Sequence, residues 1–233
     1  MKWDYPVFAP EAGQAGEGTT SRKARKAMTR EEAIAYIAGD DPRPLLILRE
    51  CKVCNGTDEA LLKGGIDNEK TFLLSAWYHC VKVPVDVMEE NHPFHNIFVQ
   101  DKTPEHLFVC SIDGTNHDPL ESQTSRRELW KSMVSLLEKE YETKPKKPLK
   151  AIAKLLDKLD EADGRVQVLC LKRDDILEND GPSSKKLPKI SLKLEAEEHD
   201  LAVLKSKVQE AYRNELRRQK MAAKDKEKAT ASR

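Results

Sequence analysis

From Ile152 to Ile176 apolar residues recur at alternating steps of three and four, through Leu155, Leu159, Ala162, Val166 and Leu169, with only Arg173 out of character. A second run does the same at Leu187, Ile190, Leu194, Glu197, Leu201, Leu204, Val208 and Ala211. That spacing is the seam of a coiled coil, and it commits two long stretches to helix. Residues 178–186, with Gly181-Pro182 among them, break the pattern, so the two helices are predicted to fold back as an antiparallel hairpin. Gly164 costs the first helix about 1 kcal/mol relative to Ala. It leaves open an alternative in which 165–171 forms a strand.

The 233 residues allow one full domain and a substantial appendage. Residues 142–233 hold 40 charged residues in 92 positions, and Tyr212 is their only aromatic, so the composition changes near residue 142. Forty Lys and Arg cancel forty Asp and Glu. With no net field, nucleic acid is disfavoured as a partner and so is an anionic membrane. No apolar run approaches the ~18–20 residues of a membrane helix, and Met1-Lys2-Trp3-Asp4-Tyr5-Pro6 lacks the core of a signal peptide. The expected compartment is the cytoplasm. The expected organisation is a flexible arm over 1–28, an α/β domain over 29–143, a linker over 144–148, a helical hairpin over 149–222 and a disordered basic tail over 223–233.

Within 29–143, Thr29-Arg30-Glu31-Glu32 fits a capping box, and the helix it opens stops at Gly39. Pro42 and Pro44 then force an extended connection into the continuous apolar run Leu45-Leu46-Ile47-Leu48, a buried strand. Cys51-Lys52-Val53-Cys54 follows at once, and a helical stretch begins at Glu59. Residues 70–77 fit a helix or a strand, and 80–87 alternate as a strand. Residues 89–100, with His92-Pro93-Phe94-His95, read as loop and short helix. Thr103-Pro104 leads into a strand over 107–112, the turn Asp113-Gly114, and a return strand through Asp118-Pro119-Leu120. Leu129, Met133, Leu136 and Leu137 share one face of a closing helix over 126–141.

A cysteine at the start of a helix meets the positive end of the helix dipole and unpaired amides, which favour thiolate. Cys51 is therefore placed to be a nucleophile, and Cys54 is close enough in sequence to resolve a mixed disulfide or close an intramolecular one. Strand, CxxC, helix, strand, Thr-Pro, hairpin and closing helix together resemble the thioredoxin superfamily over residues 41–141. The resemblance implies a thioredoxin-like fold, a central mixed sheet flanked by helices, with the helical hairpin appended. It also implies thiol–disulfide chemistry on protein thiols or disulfides with no cofactor. Cys51 and Cys54 would be the catalytic pair, and Thr103 with a cis Pro104 would hold the substrate chain. The sequence departs from the family at Glu50-Cys51-Lys52-Val53-Cys54, where Trp-Cys-Gly-Pro-Cys is usual, and at Leu45, where the family has a buried acid. Those departures point to a dedicated or redox-sensing dithiol rather than a general reductase.

Two other readings stay open. Cys51 and Cys54 are also half of a zinc site, which His79 or Cys80, or His92 and His95, would complete. Alternatively the domain is a non-catalytic scaffold, and the hairpin binds a partner helix or a second copy of the chain. Cys80, Cys110 and Cys170 read as packed thiols. Gly-x-Ser-x-Gly, the P-loop and His-Glu-x-x-His do not occur, so hydrolase and nucleotide-binding chemistry find no footing.

Overall fold

The structure, a computed structural model, describes residues 2–7, 26–50, 68–98, 105–121, 124–214 and 216–221. Cys51, Cys54, Thr103 and Pro104 lie outside them. The chain divides into two compact units, Met1–Glu142 with Leu216–Arg233, and Thr143–Glu215.

The first unit is α/β. Its described helices are α1 (Arg30–Ala38), α2 (Glu69–Ser75) and α3 (Arg126–Glu140), and its strands are β1 (Leu45–Arg49), β2 (His79–Val83), β3 (Leu107–Cys110) and β4 (Asp118–Leu120). The strands form one mixed sheet in the order β2-β1-β3-β4, with β1 parallel to β2 and antiparallel to β3, and β3 antiparallel to β4. The apolar run Leu45–Leu48 is the centre of that sheet, and all four residues are 0% exposed. A continuous apolar run is what a strand covered on both faces requires.

Alternation divides the core in two. One face of the sheet sends Leu45, Ile47, Val81, Val83, Phe108 and Cys110 into a cluster with Ile34 and Ile37 of α1 and with Phe94, Ile97 and Phe98. Leu46, Leu48, Leu107 and Val109 face the other way, where α2 and α3 supply Leu74, Leu129, Met133 and Leu137. Tyr78 ties that layer together by donating its hydroxyl to the Met133 carbonyl at 2.7 Å, and Trp130 Nε1 donates to Thr71 Oγ1 at 2.9 Å.

Helix ends follow the sequence closely. Thr29 and Glu32 form a complete capping box on α1, as Ser125 and Glu128 do on α3. Gly39 ends α1 at φ 52°, and Gly114 turns the β3–β4 hairpin at φ 79°, conformations that disfavour a side chain. Of residues 70–77, undecided in the sequence, those through Ser75 resolve as helix α2 and the last two as a turn. The strand expected over 80–87 runs only from His79 to Val83, because Pro84 has no N–H for the ladder and opens the 3₁₀ turn Val85–Met88. The strand expected over 107–112 likewise ends at Cys110, where the turn begins.

The arm expected over 1–28 is not wholly free. Asp4 donates to the Cys80 carbonyl at 2.9 Å and accepts from Lys82 N–H at 2.8 Å, bridging in parallel to Val81. Residues 217–221 form a helical turn of the first unit. Before it Leu216 bridges to Tyr141, and Arg217 Nε donates to the Tyr141 carbonyl at 2.9 Å.

The second unit is the hairpin of α4 (Lys146–Asp180) and α5 (Leu187–Ala211). Every seam residue named above is buried or half-buried, so the three-four spacing did mark the contact face. The 165–171 strand is overturned, since α4 runs through Gly164 without a break and a helix tolerates one glycine. The linker expected over 144–148 is shorter, because Pro148 stands in the first turn of α4, where no intrahelical N–H bond is lost. The hairpin ends at Ala211 rather than 222. Arg165–Glu197 and Lys186–Asp180 pair across the two helices at 2.9 Å each, in the register of an antiparallel pair. Among the described residues no helix is long and apolar enough to cross a membrane.

Ser125→Ala removes the hydroxyl that accepts from Glu128 N–H at the start of α3. It is expected to lower stability by about 1 kcal/mol, read as a lower urea midpoint at unchanged m-value, with α3 still formed.

Candidate functional site

The candidate site is the sheet edge where β1 and β2 end and β3 begins. Arg49, the last residue of β1, donates its N–H to the His106 carbonyl at 2.9 Å and its Nε to the Glu105 carbonyl at 3.3 Å. Glu50 donates its N–H to the Val83 carbonyl at 2.9 Å. Its carboxylate lies 3.7 Å from Lys82 Nζ. Glu50 is thus the last described residue before Cys51, and Glu105 the first after Pro104. Both sit at this one edge, Glu50 just past β1 and Glu105 just before β3.

The charged side chains here range from half-buried, at Arg49 and Glu50, to buried. The side chain of Glu105 is 5% exposed, and its Oε2 lies 2.8 Å from His117 Nε2, at the far end of the hairpin that β3 begins. His117 stands edge-on to Phe108, with ring centroids 4.6 Å apart. Partial burial holds the Arg49 guanidinium below its ordinary value. Sequence reasoning passed over Arg49, Glu105 and His117. Glu105-His106, two polar residues immediately before an apolar strand, was the one available signal.

The described cysteines and histidines of the zinc reading are otherwise engaged. Cys80 is buried, and its Sγ donates to the Ser75 carbonyl at 3.6 Å. His79 Nε2 contacts Asp4 Oδ2 at 3.1 Å, and His92 Nδ1 accepts from Phe94 N–H at 3.1 Å. Burial pushes both the Cys80 and the Cys110 thiol up to about 12, which opposes the thiolate a metal needs. Among the described residues no group of three or more His, Cys, Asp and Glu could hold a metal ion. Cys170, half-buried on α4, is a free thiol of the second unit.

At the opposite end of β2 lies a cleft of about 970 Å³, walled by residues 2–7, the end of α1, and α2. Arg43 and Asp41, two of its charged residues, are satisfied from within. Arg43 Nη2 pairs with Asp41 at 2.6 Å and Arg43 Nη1 donates to the Ala76 carbonyl at 3.0 Å. Burial would raise the Asp41 carboxyl, but the hydrogen bonds and charge of Arg43 outweigh it and hold the group below its ordinary value. The cleft reads as a structural clamp on the N-terminal segment.

The buried thiols carry a pH prediction. A thiol whose pKa rises on folding keeps its proton more tightly in the native state, so its stabilisation is complete below the unfolded value and is lost as pH climbs toward the folded one. For Cys80 and Cys110 that window runs from 9.0 to about 12. Denaturant midpoints should therefore fall as pH is raised above 9. In the native protein at pH 8, iodoacetamide mapping should show Cys80 and Cys110 protected while Cys170 reacts.

Comparison of the chain with protein-family models, with curated proteins and with solved structures finds no match.

Proposed function

We propose that the first unit is a thioredoxin-like domain that carries out thiol–disulfide exchange, or senses redox state, through Cys51 and Cys54. The observation that carries this reading is the β1–β3 register. Leu45 faces Cys110 and Leu48 faces Leu107 in antiparallel pairing. That pairing brings Arg49, two positions before Cys51 in sequence, against Glu105 and His106, the first two residues after Pro104. Support also comes from the order of elements, a parallel β1–β2 pair and then an antiparallel hairpin with a closing helix, which is the order in which the sequence resembles that family.

In the proposed step the Cys51 thiolate attacks one sulfur of a protein disulfide, and the other sulfur leaves as a thiolate. Cys54, deprotonated, then attacks Cys51 and releases the second substrate thiol. Two electrons pass to the substrate, which becomes a dithiol, and a Cys51–Cys54 disulfide remains. A dithiol of the reducing pool returns the pair to its starting state.

A second reading, a scaffold whose hairpin docks a partner, is favoured by the exposure of large apolar side chains on α4 and α5. Leu171 and Leu192 are each 70% exposed.

Titration in dithiothreitol redox buffers, with every cysteine alkylated and mapped, should reveal a reversible Cys51–Cys54 disulfide at about −200 to −270 mV. Cys54→Ser should trap mixed disulfides through Cys51, and Cys51→Ser should not. Thiols that stay reduced throughout, or equal trapping by both variants, would remove the redox reading and leave the scaffold.

A further inference from the structure

At the open end of the helical hairpin Asn214 Nδ2 donates to the Thr143 carbonyl at 3.0 Å, and Thr143 N–H donates to Asn214 Oδ1 at 3.3 Å. That closure, with the antiparallel pairing of α4 and α5, brings together two stretches far apart in sequence. The first, 144–158, carries Lys144, Lys146, Lys147, Lys150, Lys154 and Lys158. The second adds Lys205, Lys207 and Arg213. All nine are exposed. None of the nine forms an ion pair among the described residues, and the same stretches hold just two acids, Asp157 and Glu210. The remainder of the hairpin, 159–204, has the opposite balance, eleven acids against seven bases. The zero net charge of the chain therefore conceals a hairpin with a basic end and an acidic body.

Three features of the basic end select its ligand. Lys146, Lys150, Lys154 and Lys158 follow one another at four-residue steps, a ladder of charges about 6 Å apart along the helix. Lysine is a compact point charge that binds phosphate without the planar geometry that base or carboxylate recognition exploits. Tyr212 is the sole aromatic of the unit, so no stacking platform for single strands exists. Neither stretch contains an exposed large apolar side chain that could enter a membrane. We propose that the lysine-rich end of the hairpin binds the phosphate backbone of duplex nucleic acid without reading its sequence. This goes beyond the thiol chemistry and stands independently of it.

The test is fluorescence anisotropy of the full chain with a labelled 20-base-pair duplex of arbitrary sequence. Binding on the order of 1–100 μM is expected at low salt, equal for an unrelated sequence, with a log–log salt slope steeper than about −3, as four or more phosphate contacts require. The triple variant Lys150→Glu/Lys154→Glu/Lys207→Glu should weaken binding at least ~10-fold and flatten the slope by about 1 for each lost contact. Lys185→Glu/Lys189→Glu/Lys193→Glu makes the same charge change at the other end and should leave binding nearly intact. A milder set, Lys147→Gln/Lys158→Gln/Lys205→Gln, repeats the comparison should the first variant lose helicity by circular dichroism. No binding at 50 mM salt would overturn the proposal. So would equal loss in the control variant, undiminished binding in both basic-end variants, or tighter binding to phosphatidylserine vesicles or polyglutamate than to the duplex.

Discussion

The double pairing of β1 is the interaction on which the rest of the first unit depends. Its backbone groups are satisfied by β2 on one side and β3 on the other, and its side chains are sealed on both faces. A backbone buried this way cannot turn to water for hydrogen bonds, so both neighbours must be present at once. The parallel neighbour needs a crossover of a dozen residues or more, and the antiparallel one can arrive from anywhere later in the chain. Those two demands fix where the connections go. The crossover leaves from Glu50, and the return into β3 begins at Glu105, so both meet the same edge of the sheet. Arg49 then joins the two strands with its own backbone and guanidinium.

How much of this could be read from the residues depended on how local the cause was. The capping box at Thr29, the glycine stop at Gly39 and the Asp113-Gly114 turn are each decided within four residues, and each formed as expected, while the equally local box of Ser125 and Glu128 was passed over. The seams of α4 and α5 were legible because their period repeats many times. Expectation failed where a local rule met a distant one. The alternation over 80–87 was real, yet Pro84 ended the ladder. Residues 2–7 have no hydrophobic period, and their place beside β2 is held by backbone bonds from Asp4, which composition does not reveal. Glu105 and His117 are twelve positions apart, and their meeting depends on the hairpin register alone. Cys51, Cys54, Thr103 and Pro104 were singled out by sequence and lie outside the described residues, so the site is known by its frame.

Charge shows the same limit in another form. A sum over the chain is blind to folding, whereas potential depends on which residues end up side by side. In the hairpin the fold doubles the chain back, so two lysine-rich stretches with 46 residues between them reinforce each other. The acids of 160–163 and 195–200 belong to its body instead. Neutral composition and a strong local field are compatible whenever like-charged blocks lie symmetrically about a turn.

The first unit is made from two separate pieces of chain, with the whole of the second unit encoded between them. Tyr141, whose hydroxyl donates to the Trp77 carbonyl at 2.8 Å, must wait for Leu216 before its strand bridge can close. During synthesis the intervening residues take roughly 4–15 s to emerge at ~5–20 residues per second. For that interval the nascent sheet and α3 exist without the helical turn at 217–221, while the hairpin can already zip. The hairpin can thus form before the final closure of the sheet domain, which waits for residues encoded after it.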